Sequence, residues 1–222
     1  MARPNIIFIM SDDHASRAIS TYGAGINHTP HLDRLAKEGV RHDAVYVTNS
    51  ICTPSRAAIL CGTHNHVNCV TTLETHIDNR LPHVAKSLKS SGYSTAIFGK
   101  WHLGEGKAHE PTGFDEWAVV PGQGDYWDPA FHFPDGSRRV TGYATDIITD
   151  MSVDFIERHK DTPFFLMCHH KAPHRNWQYH PRYAGIHAPG TIPLPPTFED
   201  DYANRAAAAA AAKMRVRSDM LY

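Results

Sequence analysis

The chain reads as an α/β protein, a mostly parallel central sheet sandwiched by helices, and three observations predict it. Continuous apolar runs of strand length occur at 5–10 (NIIFIM), 94–98 (STAIF) and 163–168 (PFFLMC), as expected of strands covered on both faces. Helical patterns stand between and around them, at 30–38, 55–61, 82–91 and 143–159. Each apolar run also leads into charged or histidine residues, at the carboxyl ends of strands where open α/β sheets gather their ligands.

Composition narrows the function. A chain of 222 residues can bury a substantial core, and a net charge of -1 from 22 basic and 23 acidic residues provides no global field for nucleic acid or an anionic membrane. An anion site must therefore be local. No apolar run is long enough to span a bilayer, and residues 1–4 lead straight into the first strand without an apolar leader or a small-residue cleavage site. That pattern points to a cytoplasmic chain, or to a periplasmic or secreted one whose leader has been omitted. Cys52, Cys61, Cys69 and Cys168 form no C-x-x-C pair, and the last three read as small core residues. Seventeen histidines raise the question of zinc, with His64 and His66, or His169, His170 and His174, as ligands; the spacings match no structural-zinc pattern.

Taken in order, the first strand delivers Ser11, Asp12, Asp13 and His14. Two adjacent carboxylates repel, and a hard divalent cation would relieve them; the plainer reading is a helix cap with a solvated neighbour. Residues 30–38, closed by Gly39, form an amphipathic helix with Leu32, Leu35 and Ala36 on one face, and 40–47 alternate enough for a strand. In Cys52-Thr53-Pro54-Ser55-Arg56, Thr53 suits an N-cap and Pro54 the first helical position, with Gly62 as the stop. Cys52 would then lie where free N–H groups converge, and Arg56, about one turn on, could add a bidentate fork for sulfate or phosphate. A buried cysteine at an ordinary helix start is the alternative.

Residues 63–79 are polar and irregular, with His64, His66 and His76. The helix at 82–91 stops at Gly92, and the strand at 94–98 ends in Gly99, Lys100, Trp101 and His102, where Lys and His two residues apart can face one pocket or a solvated turn. Residues 111–129 read as a long ordered loop whose Gly122-Gln123-Gly124-Asp125-Tyr126-Trp127 run suits either a sugar surface or simple structure. The helix at 143–159 carries an apolar stripe of Ile147, Met151, Phe155 and Ile156, and the strand at 163–168 delivers His169, His170, Lys171 and His174. Residues 191–196 are proline-rich and extended, and the seven alanines at 206–212 favour helix within 202–220.

The pentapeptide at Cys52 resembles the C-x-P-S-R signature of type I sulfatases, of the alkaline-phosphatase-like superfamily. The resemblance implies conversion of Cys52 to formylglycine by a formylglycine-generating or anaerobic maturase enzyme. The segment beginning at Gly92, G-Y-x-T-x-x-x-G-K-W-H-L-G, is similar to the second signature, and R-P-N, strand, D-D to the family's opening. By that resemblance Asp12 and Asp13 bind calcium beside Cys52, and Lys100 contacts sulfate and nucleophile. His102 helps deprotonate formylglycine or break down the sulfated intermediate, and His174, with Lys171, holds a sulfate oxygen near the leaving group. Arg56 would stabilise charge on the sulfuryl oxygens.

The resemblance runs from Arg3 to about Met220, and H-K-A-P-H-R-N-W with G-Q-G-D-Y looks like bacterial carbohydrate sulfatases, N-acetylglucosamine-6-sulfatase-like enzymes among them. It implies hydrolysis of a sulfate monoester on a small molecule or glycan. The family continues past Tyr222 into further calcium ligands and a C-terminal subdomain, so 1–222 reads as the N-terminal portion of a catalytic domain. Two rival readings remain: a phosphonate or phosphate ester hydrolase of the same superfamily, and an inactive truncated fragment or pseudoenzyme.

Overall fold

In a computed structural model, residues 3–213, 215 and 217–219 are described; Met220 and Tyr222, the last positions invoked above, lie outside them. The described chain divides into two units, residues 1–177 and 178–222. The first holds a six-stranded sheet in the order β1 (Ile6–Met10), β6 (Phe164–His169), β2 (Ser94–Lys100), β3 (Glu116–Val120), β4 (Ala130–Phe133) and β5 (Gly136–Arg139). β1, β6, β2 and β3 run parallel, so their carboxyl ends share one edge, while β4 and β5 return as an antiparallel hairpin.

The helices are α1 (Pro30–Glu38), α2 (Cys52–Cys61), α3 (Asn65–Asn68), α4 (Val84–Ser90), α5 (Ala144–His159) and, in the second unit, α6 (Ala207–Ala211). Two apolar clusters cover the sheet. Ile97, Phe165 and Met167 pack with Ala57 and Leu60 of α2 and Ala85 of α4; Ala96, Phe98 and Leu166 pack with Ile148 and Phe155 of α5. Successive strand residues point to opposite faces, so helices on both sides require unbroken apolar runs, as β2 and β6 have.

Several expectations give way. β1 is an edge strand with Ile7 and Ile9 exposed, so it is covered on one face only. Residues 40–47 form no strand: among the described residues no strand pairs with them, and Val45, Tyr46 and Val47 face solvent. Leu32 and Leu35 of α1 are likewise exposed. The loop expected at 111–129 contains β3, and the alanine helix is confined to 207–211. Cys168 is buried as expected, Cys61 is half-buried and Cys69 is exposed.

Candidate active site

The carboxyl edge of the parallel strands gathers the functional side chains. Asp12 follows β1, Lys171 and His174 follow β6, Lys100 ends β2 and His102 follows it. Backbone bonds extend the ladder beyond the strands, from His170 N to Met10 O at 2.8 Å and from Asp12 N to Ala172 O at 3.0 Å. These bonds fix the first and last of these segments side by side.

Helix α2 brings Cys52 to this edge. The helix opens two residues earlier than Thr53 capping would require: Ser55 N donates to Ile51 O at 3.0 Å, making Ile51 the N-cap and Cys52 the first helical residue. Thr53 is buried and its hydroxyl donates to Leu73 O at 3.4 Å, so it does not cap; Pro54 stays within the first turn, where no N–H is needed.

At the centre, Asp12 Oδ2 accepts from Lys100 Nζ at 2.6 Å and from Arg56 Nη2 at 2.9 Å, while Asp12 Oδ1 faces Cys52 Sγ at 3.7 Å. Lys100 is fully buried, and its Nζ also reaches Gln123 Oε1 at 2.5 Å and Cys52 Sγ at 3.8 Å. Burial alone would raise the Asp12 pKa, but the Lys100 and Arg56 charges outweigh it and hold the carboxyl below its usual range. Two side-chain cations therefore already balance Asp12.

Arg56 departs from the fork expected of it. Nη1 donates to Lys100 O at 2.6 Å and lies 3.3 Å from His169 Nδ1, Nη2 is held by Asp12, and the side chain is buried. Each terminal nitrogen thus has a partner inside the protein, through which Arg56 links Asp12 to the end of β2.

His102 stands at φ 56°, with Nδ1 buried and unpartnered. Burial, then Lys100 and Arg56, lower its pKa to about 4, leaving a neutral imidazole at ordinary pH. Lys171 Nζ donates to Arg175 O at 3.4 Å and sits 5.0 Å from the Tyr126 ring centre, its pKa lowered by burial and by Lys100. His174 lies 3.7 Å from Asp13 Oδ2 through Nε2, and Tyr126 OH donates to its carbonyl at 2.5 Å. Burial also raises the pKa of the Cys52 thiol, which makes a poor thiolate nucleophile.

Among the described residues, potential metal-ligand atoms of Asp12, Cys52 and His174 converge within 4.8 Å of one another. Asp13, the other expected ligand, is not in that group: its carboxylate is more exposed, at φ 59°, and lies beside His174. His64 and His66 stack together, and neither they nor His169 and His170 belong to that group. A cavity of about 320 Å³ opens beside His102, lined among others by His76, Glu105, Gly122 and His132.

Two residues at this edge, His169 and Gln123, stand in contacts that the sequence did not foretell. His169, the last residue of β6, backs Arg56, and burial lowers its pKa to about 3. Gln123, noted only as part of a loop, touches Lys100. Their signal was position: both stand at or just beyond the carboxyl end of a parallel strand.

The sulfatase family model matches residues 4–211. The chain belongs to the sulfatase family. It is 47% identical over 212 residues to an N-acetylglucosamine-6-O-sulfatase of Bacteroides thetaiotaomicron, covering 93% of this chain and 37% of that protein. An N-acetylgalactosamine-6-sulfatase of Sus scrofa is 32% identical, over 73% of this chain and 38% of the relative. The solved structure of BT4656 in complex with its substrate D-glucosamine-2-N,6-O-disulfate superposes with a TM-score of 0.93 at 43% identity, covering 99% of this chain and 44% of that one. The chain thus spans less than half the length of each of these three relatives. The sulfatase membership favours sulfate over the phosphonate or phosphate ester alternative. Among the described residues no helix is long and apolar enough to cross a membrane.

Proposed function

We propose that this chain carries the nucleophile end of a carbohydrate sulfatase, a protein of its relatives' length that hydrolyses a 6-O-sulfate ester of an amino sugar. The observation that carries this is the buried Lys100 ammonium, held by Asp12 at 2.6 Å and directed at Cys52 Sγ at 3.8 Å. In the reactive protein the Sγ position stands in for the oxygens of formylglycine, after conversion by a formylglycine-generating or anaerobic maturase. The open edge of β1 and the coverage of 37–44% of the relatives support residues 1–222 as the N-terminal portion of that domain.

Calcium fits in part. Asp12 Oδ1, Asp13 and the oxygens formed at Cys52 would hold it, fewer than the six to eight oxygens calcium takes, so other parts of the longer protein would complete the shell. Bound there, calcium would supply positive charge beside the nucleophile, and formylglycine the attacking oxygen. The chain's own residues do the rest. Lys100 stabilises charge on a sulfuryl oxygen, neutral His102 takes the nucleophile's proton, and Lys171 and His174 face the departing alcohol. Arg56 keeps Asp12 and Lys100 in register. The sulfated sugar would enter from the His102 cavity, and the reaction would run in the cytoplasm, or outside it if a leader precedes this chain.

The test is peptide mass spectrometry of Cys52 in the full-length protein co-expressed with a maturase, together with turnover of glucosamine 6-sulfate before and after calcium chelation. Conversion with chelator-sensitive turnover is expected. Conversion with hydrolysis of phosphate but not sulfate esters would overturn the reading.

A further inference from the structure

Gln123 has no part in the roles above, yet it is the exposed side chain that meets Lys100. The ammonium of Lys100 has three N–H donors: one serves Asp12 at 2.6 Å, one Gln123 Oε1 at 2.5 Å, and the third has Cys52 Sγ at 3.8 Å. Asp12 is buried; Gln123 is exposed. Gln123 rides on a tight turn closed by Gly124 N to Pro121 O at 2.9 Å, with Gly122 and Gly124 at φ 49° and 70°. The turn is anchored close by, because Tyr126 OH holds the His174 carbonyl and Ala144 N donates to Tyr126 O at 2.8 Å.

An amide oxygen accepts a hydrogen bond as a sulfuryl oxygen does, but carries no charge. A sulfate ester approaching Cys52 needs a Lys100 donor, and of the two side-chain oxygens that Lys100 meets, the exposed one is that of Gln123. We propose that Gln123 is a place-holder and specificity residue. Its carboxamide satisfies Lys100 while the site is empty, yields that donor to the sulfate, and then hydrogen-bonds the sugar that carries the ester. Neutrality is what makes the exchange feasible: a carboxylate here would pair with the buried ammonium and compete with sulfate, whereas a methyl group would leave the donor unsatisfied and ready for the anion. The freed carboxamide offers both a donor and an acceptor, matching sugar hydroxyls and N-acyl or N-sulfo groups. This proposal rests on the sulfatase reading for the sugar contact but not for the sulfate exchange.

The experiment has two arms. In the unconverted full-length protein, where Cys52 cannot turn over, titration calorimetry measures inorganic sulfate binding. Gln123→Glu is expected to weaken it by about ten-fold or more, and Gln123→Ala to keep or tighten it, since one hydrogen bond to a charged group is worth about 1.5–3 kcal/mol. In the converted protein, Gln123→Ala is expected to raise KM for glucosamine 6-sulfate by about ten-fold more than KM for a simple aryl sulfate. Equal sulfate affinity in Gln123→Glu and the parent would overturn the place-holder role. Equal losses on sugar and aryl esters in Gln123→Ala would overturn the specificity role, leaving Gln123 as a support for Lys100. The calorimetric pattern without any sulfate-ester turnover by the parent protein would strike down the sulfatase reading and the sugar contact, and keep the exchange. Gln123 is an exposed turn residue, and circular dichroism checks that each variant is folded.

Discussion

Lys100 Nζ and Asp12 Oδ2 meet at 2.6 Å in a part of the protein where Lys100 has no exposed surface and Asp12 keeps 7%. With Arg56 they form a buried triad of two cations and one anion. Such groups are sensitive to the loss of one member, because the remaining charges stay desolvated and unpaired. Asp12→Ala is therefore expected to destabilise the fold by about 3–5 kcal/mol, read by urea denaturation of the full-length protein. A loss below about 1 kcal/mol would mean that water reaches both cations once the carboxylate is gone.

Gly99 precedes Lys100 in β2 at φ 105°, and a Cβ there would lie 1.9 Å from His169 O. The obstacle is the backbone of β6, which cannot rotate away. Gly99→Ala should cost more than about 3 kcal/mol and disturb the β2–β6 register that sets Gly99 itself against His169, one residue before Lys100. Soluble yield and near-ultraviolet circular dichroism test this; a parent-like spectrum and melting temperature would contradict it.

Why β2 and β6 were legible and β3 was not follows from where their neighbours come from. Phe164–His169 is buried along its whole length, so its apolar run carries no competing signal. Glu116–Val120 is equally buried after its first residue, yet it sits among Gly, Pro and aromatic residues whose local character is that of a loop. In 40–47 the reverse holds: the alternation is local, and among the described residues no strand pairs with it. The hairpin of β4 and β5 turns through Pro134 and Asp135 before Gly136, a turn signal obscured by the wholly exposed β5. At the site, side chains carried by short motifs could be read from sequence, as Cys52, Lys100 and His102 were. The direction Arg56 faces could not, since it depends on α2 lying against the carboxyl ends of β1 and β2, two strands separated by β6 in the sheet.

His83 gives the clearest pH dependence of stability. It is 4% exposed and stacks on Phe114; among the described residues Thr112 Oγ1 lies 3.4 Å from its Nε2 and nothing bonds its Nδ1. Burial, then Lys86, lowers its pKa from 6.5 to about 4. Between those values the unfolded chain binds a proton that the folded chain refuses, so stability is complete above pH 6.5 and declines as pH falls toward 4. The ceiling on the loss is roughly 3 kcal/mol at 1.36 kcal/mol per unit. His83→Leu should flatten that part of the pH–stability curve; an unchanged slope would place the titration elsewhere, half-buried His102 and buried His169 being the other imidazoles lowered to about 4 and about 3.

The same physics sets an expectation for the reaction. His102 is kept neutral by burial and by the positive charges of Lys100 and Arg56, so it can accept a proton throughout the neutral range. If it is the base, the acid limb of kcat/KM in the converted full-length protein falls well below the ordinary imidazole value, near pH 4. His102→Ala should lower kcat by about 10²- to 10⁴-fold, while KM for an aryl sulfate changes little, since Lys100 still receives the sulfuryl oxygen. A variant that lost affinity and kept its turnover would instead make His102 a wall of the pocket. An acid limb near pH 6.5 that persists in the variant would assign the proton to another group.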